Sequence, residues 1–436
     1  MRRRKTRITF SRLDQDQLNE VIKAHETFLS GHVGGARATL SYKDLSGLTL
    51  RDRDLTDADF TGAVLNRTDL DGAKLNSATL FGADLRRASL VGTSLRRADL
   101  RGASLRGADL TRADLYEADL REGSIAERDS KGNLKFLQHD DVGPAELPAA
   151  LLANSNLENA KMAGIVAVQA DFTDAIMRNC RLVRANLRQA RLTGAVLEYA
   201  DLSGCDLTGA DLEGAVLTGA RLDLAVLDQA NLLDVLTDGD TKLKEALGAP
   251  IGEILGGHDE WVRTGGSTGK PCTLPGIDLR EVKTLEGMNL AALVAPNAIF
   301  YGLDMHGVRL QGAQLIGADL RSANLSGADL RGANLKNAKL NGANFKGAQF
   351  GPLELAPNRF MPAQLEGAKA RYADFEGADL TQARLSKIDA SYANFVGANL
   401  KGADFSEAHL AGAMISHSSF IEAIFVGATG VRLMRG

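Results

Sequence analysis

From Leu40 to Ile125 every fifth residue is Leu, Phe or Ile, as at Leu45, Leu55, Phe60, Leu85, Leu100 and Leu120. A period of five matches neither the 3.6 of an amphipathic helix nor the 2.0 of a half-exposed strand. Two residues before most of these centres stands a small residue, usually Ala, and just before the centre stands Asp, Ser, Thr or Asn. Positions two apart share one side of an extended segment, so the small residue and the large centre face the same way. The remainder, Gly-rich at Gly62, Gly72, Gly82 and Gly102, suits a corner. Short extended pieces joined by corners predict a solenoid, in which each unit buries its centre only when the next coil stacks on it. Aromatic residues make up only 5% of the chain, as expected of a core built from many small, similar parts.

A second tract keeps the spacing from Leu152 through Phe172, Leu187, Leu207 and Leu222 to Leu232, with Ala167 as a weak centre. A third runs from Leu285 through Phe300, Leu320, Phe345, Leu365 and Phe395 to Phe425, weakened at Ala295, Ala370 and Ala390. The pattern Ala-(Asp/Asn/Ser/Thr)-Leu-X-X closely resembles the pentapeptide-repeat family. The resemblance implies an all-β solenoid with minor α content: a right-handed quadrilateral β-helix with four pentapeptides per coil, each coil adding about 4.8 Å. Cys180, Cys205 and Cys272 each sit two before a centre, where Ala is usual, and are expected as small buried thiols rather than a disulfide framework or metal site.

Two segments outside the tracts match each other. "LNEVIKAHETFL", Leu18 to Leu29, aligns without gaps to "IGEILGGHDEWV", Ile251 to Val262, pairing His25 with His258 and Phe28 with Trp261. In the first copy Leu18, Val21, Ile22, His25, Phe28 and Leu29 fall on one helical face and Gly31 suits the stop. Such a helix before an open solenoid end would hide its unpaired edge. Between the first two tracts, "DSKGN" reads as the turn of a hairpin, and the centres change from positions ending in 0 or 5 to positions ending in 2 or 7. "GPLELAPNRFMPAQ" keeps the five-residue frame through Leu355 and Phe360, so its prolines are expected at corners. The resulting division is a helical header over 1–38, β-helix over 39–125, a hairpin over 126–150, β-helix over 151–235, a second header over 236–273 and a second β-helix over 274–436, making two modules.

"TGGSTGKP", Thr264 to Pro271, has the glycines and lysine of a phosphate-binding loop. It departs from G-x-x-x-x-G-K-[ST] at Thr264 and Pro271, and it follows a helix and opens a solenoid rather than joining a strand to a helix. It reads as a connector to Leu274. The seven histidines are scattered and no metal-ligand spacing is present, so no catalytic residue, cofactor or metal is expected.

With 51 basic and 55 acidic residues the net charge is -4, which favours neither a nucleic-acid-binding polycation nor a polyanion. After "MRRRKTRITF" comes "SRLDQDQLNE" rather than an apolar run, so a cytoplasmic protein without a membrane span is expected. One surface feature stands out. Arg86, Arg87, Arg96, Arg97, Arg101, Arg106, Arg112 and Arg121 crowd the coils before the hairpin, which itself carries Lys131 and Phe136. Neighbouring aspartates neutralise them in one reading; in the other they form a docking patch for an acidic or phosphate-bearing partner. The function expected is a non-enzymatic protein-protein interaction scaffold, with an unidentified protein partner and a homodimer through a solenoid end. The alternative follows from the resemblance: some members mimic duplex DNA and bind DNA gyrase. The near-neutral charge and outward arginines depart from that group.

Overall fold

A computed structural model describes residues 10–123, 126–128, 134–136, 145–238, 249–282, 284–415 and 421–430. The chain divides into two compact units, Met1–Asp238 and Gly239–Gly436. In the first, parallel bridges join residues twenty apart, as in the column Asp59, Thr79, Asp99 and Asp119. Twenty residues per coil are four pentapeptides, so each coil has four sides. The centre N–H donates to the next coil, as from Leu80 to the Asp99 carbonyl at 2.7 Å. The residue before the centre donates back, as from Asp99 to the Ala78 carbonyl at 3.0 Å. Stacking therefore satisfies the backbone and buries the centres together. Leu40 through Leu120 and Ala145 through Leu212 line the interior, each rung worth roughly 1.5–3 kcal/mol when fully buried.

Corners are made by residues in the left-handed region two after each centre, including non-glycine residues such as Tyr42 at φ 58°. Their side chains project along the stack, which constrains the coil above. A Cβ at Gly62 would lie 2.6 Å from the Tyr42 ring, and the same pairing recurs between Tyr199 and Gly219. A tyrosine at such a corner is thus met twenty residues on by a glycine, as at Gly62 and Gly219, or by a second ring, as where Tyr372 stacks on Tyr392 with centroids 5.1 Å apart.

The chain enters the first unit through β1 (Ser11–Arg12), which pairs in parallel with β2 (Lys43–Asp44). Between them α1 (Gln15–Leu29) starts with a reciprocal cap: Gln17 N–H donates to Asp14 Oδ1 at 2.9 Å and Asp14 N–H to Gln17 Oε1 at 3.1 Å. Leu18, Ile22 and His25 are buried, and the first two join the core of the coils. The apolar face is narrower than its sequence suggests. Phe28 and Leu29 are 43% and 37% exposed, because the buried stripe runs through Leu18, Ile22 and His25 with Val21 packed beside it. Gln15 also meets a coil edge, accepting from Thr49 N–H at 2.9 Å and donating to its carbonyl at 3.0 Å.

After Leu120 the ladder jumps. Ser104 bridges Glu146 and Asp119 bridges Lys161, so the coils resume directly across an insertion and the first unit is one continuous stack to Leu236. The inserted segment includes β3 (Ala126–Arg128) and β4 (Leu134–Phe136), paired antiparallel with Ala126 opposite Phe136.

In the second unit, α2 (Ile251–Arg263) precedes coils whose columns include Asp304, Asn324, Asn344, Asp374 and Asn394. Asparagine amides link this column, Asn324 to Asp304 at 2.9 Å and Asn344 to Asn324 at 3.0 Å. Inside, Phe345, Phe375 and Phe395 stack with ring centroids 5.0 Å apart. The weak centres Ala295, Ala370 and Ala390 are fully buried and hold rung positions.

Leu355 and Phe360 do not. They lie on a second antiparallel hairpin, β5 (Leu353–Ala356) with β6 (Arg359–Met361), and are 50% and 54% exposed. The ladder passes from Asn334 to Gln364, so ten extra residues leave the coil. Ten is two whole periods, and an insertion of that length is invisible to the repeat frame. The prolines accordingly flank or belong to the hairpin rather than occupying solenoid corners. Replacing residues 351–362 with Lys-Gly should restore an unbroken coil and change stability by less than about 1 kcal/mol, measured by thermal unfolding. A large loss would mean that the hairpin supports the core.

Candidate interaction faces

Where the residue before a centre is an aspartate, it is placed outward and in many repeats accepts a bond from its own corner. Ser46 donates its N–H and its hydroxyl to Asp44 Oδ1 at 3.0 and 2.6 Å. Asp201 receives the same pair from Ser203, and Asp206 from Thr208. These serine and threonine hydroxyls hold all three carboxyls below the ordinary aspartate range. A depressed carboxyl contributes stability that is present above the unfolded value and lost as pH falls through the folded one. The unfolding midpoint should therefore hold steady between about pH 7 and 5 and fall below about pH 4. A midpoint unchanged down to about pH 2 would show that these corner bonds do not differ between states.

The arginines before the first hairpin are resolved largely into pairs. Arg86 meets Asp84 at 2.5 Å, Arg101 meets Asp99 at 2.7 Å and Arg121 meets Asp119 at 2.7 Å, each within its own repeat. Arg96 reaches Asp114 at 2.8 Å, Arg97 reaches Glu117 at 2.7 Å and Arg106 reaches Glu146 at 3.5 Å, each on the coil above. Arg96 also lies over the Tyr116 ring at 4.5 Å, and Arg101 over Phe81 at 5.2 Å. Arg87 has no ion pair among the described residues. Lys131 lies outside the described residues, and Phe136 is described only by its backbone. Exposed pairs of this kind are each worth about 0–1 kcal/mol. Burial pushes the Asp119 carboxyl up, but the Arg121 bonds outweigh it and leave it below its ordinary value.

Beside these pairs lies a groove of about 660 Å³ lined by Arg97, Asp99, Arg101, Glu117, Asp119, Asn159 and Lys161. Lys161 shows what the sequence frame hides. Stacking was legible at intervals of twenty within one tract, but the insertion sets Lys161 above Asp119 and Arg181 above Lys161. Lys161, Arg181 and Arg184 are exposed, and none has an ion pair or side-chain hydrogen bond among the described residues.

The histidines of the two header helices have the same task. His25 Nδ1 accepts from Ala38 N–H at 3.1 Å, and His258 Nδ1 accepts from Cys272 N–H at 3.0 Å. Each bond ties a helix to the chain entering its first coils. The network assigns the His258 proton to Nε2, which donates to the Ala291 carbonyl at 3.0 Å. Both residues are buried, and the second ring nitrogen of His25, Nε2, has no hydrogen-bond partner among the described residues. The connector Thr264–Pro271 packs back on its helix through Lys270 N–H, which donates to the Gly257 carbonyl at 3.0 Å.

All three cysteines are free and buried. Desolvation pushes the Cys205 thiol up to about 12 and the Cys272 thiol up to about 11, and raises Cys180 too. Such thiols are poor nucleophiles at neutral pH. Among the described residues no group of His, Cys, Asp and Glu could hold a metal ion, and no helix is long and apolar enough to cross a membrane.

The family model described as pentapeptide repeats matches eight copies, over residues 44–121, 150–235, 313–350 and 359–429, more than half of the chain. No curated protein matches. Among solved structures, HetL, a pentapeptide repeat protein involved in heterocyst differentiation regulation from the cyanobacterium Nostoc sp. strain PCC 7120, is 24% identical over 77% of this chain and 86% of its own, with a TM-score of 0.24. Rfr23 from the cyanobacterium Cyanothece 51142 is 29% identical over 32% of this chain and 87% of its own, with a TM-score of 0.20. QnrB1, a plasmid-mediated fluoroquinolone resistance protein, is 20% identical over 48% of this chain and 98% of its own, with a TM-score of 0.18.

Proposed function

Because the chain belongs to the pentapeptide-repeat family, we propose that it is a non-enzymatic scaffold whose rigid coil faces bind a protein partner. The observation that carries this reading is the use made of its reactive side chains. His25 and His258 serve as backbone acceptors and the three cysteines as core filler, while the outward positions form regular, hydrogen-bonded faces. Stacked coils are stiff because each is fixed by its neighbours, so a face can be recognised without reordering. α1 and α2 act as caps, each tied to the chain entering the coils by its histidine. The last described residues leave Ile421, Ile424 and Val426 at 66%, 46% and 73% exposure, a surface on which a second copy can seat as a homodimer. The three reduced cysteines suit a cytoplasmic setting.

Affinity capture from the native host with cross-linking tests the scaffold. Partners cross-linked to outward residues of the coils are expected; an ATP-dependent thermal shift, or turnover of a small substrate, would overturn the reading. The DNA-mimic alternative requires a sustained negative face. Columns such as Asp119, Lys161, Arg181, Asp201 and Arg221 interrupt one, so no inhibition is expected in a gyrase supercoiling assay.

A further inference from the structure

We propose that Lys161, Arg181 and Arg184 form a ledge on the first unit that docks an acidic peptide segment of the partner protein. This rests on the scaffold reading and adds to it the place and the chemistry of contact. Lys161 and Arg181 sit on one face of two consecutive coils, and Arg184 stands at the adjoining corner with its side chain running along the stack towards Gly204. Lys161 and Arg181 are bridged neighbours, locked by the bond from Met162 N–H to the Arg181 carbonyl at 2.8 Å. Their charges are therefore stacked about 4.8 Å apart at the backbone, where like charges repel unless an anion lies between or beside them.

Among the described residues no such anion lies at ion-pair distance. Below Lys161, both Asp119 oxygens are held by Arg121 at 2.9 and 2.7 Å. Above Arg181, Asp201 takes the hydroxyl of Ser203 at 2.6 Å and Arg221 at 3.5 Å. These carboxylates lend Lys161 and Arg181 a long-range attraction but leave their hydrogen-bond donors open. The residues between the cations are small, Ala163, Gly164 and Val183, so an extended strand can approach the surface closely. Carboxylates two residues apart on such a strand are about 6.6 Å apart, which suits a two-coil ledge. At its lower end the ledge opens into the groove lined by Asn159 and Lys161.

A nucleic-acid backbone fits less well. The cations are bounded by Asp119 below and Asp201 above, so a continuous polyanion would be carried onto carboxylates, whereas a short acidic segment ends before them.

The test uses the full chain and a short fluorescent peptide alternating Asp with Ser, followed by anisotropy at low and high salt. Lys161→Glu, Arg181→Glu and Arg184→Glu together should weaken binding about tenfold or more. The triple Arg51→Glu, Arg96→Glu and Arg331→Glu, with the same charge change at paired positions, should weaken it no more than about twofold. Arg181→Lys should retain binding. Equal loss in both triples, no binding of the peptide, or tighter binding of a single-stranded oligonucleotide at the same residues would each overturn the ledge. Should the reversal triple melt early, Arg181→Gln and Arg184→Gln singly give the same readout in a folded chain. If host-partner capture survives the ledge triple unchanged, the scaffold stands and the ledge falls.

Discussion

Leu100→Asp should unravel the coils around residue 100 and abolish the cooperative melting of the first unit. Leu100 is fully buried, and its N–H donates to the Asp119 carbonyl of the next coil at 2.8 Å. Truncating a buried leucine costs about 2–5 kcal/mol, and a carboxylate in the same place adds desolvation with no buried partner. The sum approaches the whole stability of an ordinary domain, about 5–15 kcal/mol. Because each coil touches only its neighbours, the damage should spread outward from Leu100 rather than reach the second unit. Circular dichroism during thermal unfolding should show a lost or early transition for one unit and a preserved one for the other. Melting indistinguishable from the parent would mean that the fifth-position residues do not face inward.

Phe375→Ala should cost about 3–5 kcal/mol, the largest loss expected from a single truncation in the second unit. Its ring is stacked between Phe345 and Phe395, within 9° and 2° of parallel, and also meets Phe350 at 6.0 Å. Removing it opens a cavity in the middle of a column whose neighbours are locked by the ladder, so collapse is limited. Phe360→Ala provides the contrast. It occupies the same five-residue frame, yet its side chain lies on the exposed hairpin, and the expected change is within about 0.5 kcal/mol. Denaturant unfolding of both variants measures the difference; equal losses would contradict the assignment of the hairpin.

The inward set was legible along most of each tract, down to Ala167, Ala295, Ala370 and the cysteines that replace Ala, although the expected centre Leu232 is 46% exposed. Burial there depends on a local relation, two side chains on one side of a short extended piece. The headers were legible as helices and as duplicates, but the width of the buried face was not, since Phe28 follows the apolar spacing and still faces outward. Leu355 and Phe360 were misread because a ten-residue excursion returns the chain to the same frame. Among the arginines, the residue types were visible and their pairing was not. Arg101 turns to Asp99 on its own coil, whereas Arg96 reaches Asp114 on the next. The Lys161 ledge left no local sign at all.

Within the coils, the amino-acid sequence alone determined which residues point inward, because the five-residue unit encodes side and corner within itself. The tertiary structure alone decided which residues become neighbours along the stack. That depends on how much chain separates successive coils: twenty residues from Asp99 to Asp119, but forty-two from Asp119 to Lys161 and thirty from Asn334 to Gln364. Charge neutralisation, the seating of a tyrosine against a glycine and the exposure of Lys161, Arg181 and Arg184 all follow from those lengths. Electrostatic and steric contact are set by distance in space, and a loop that leaves a coil and returns changes that distance without disturbing the period.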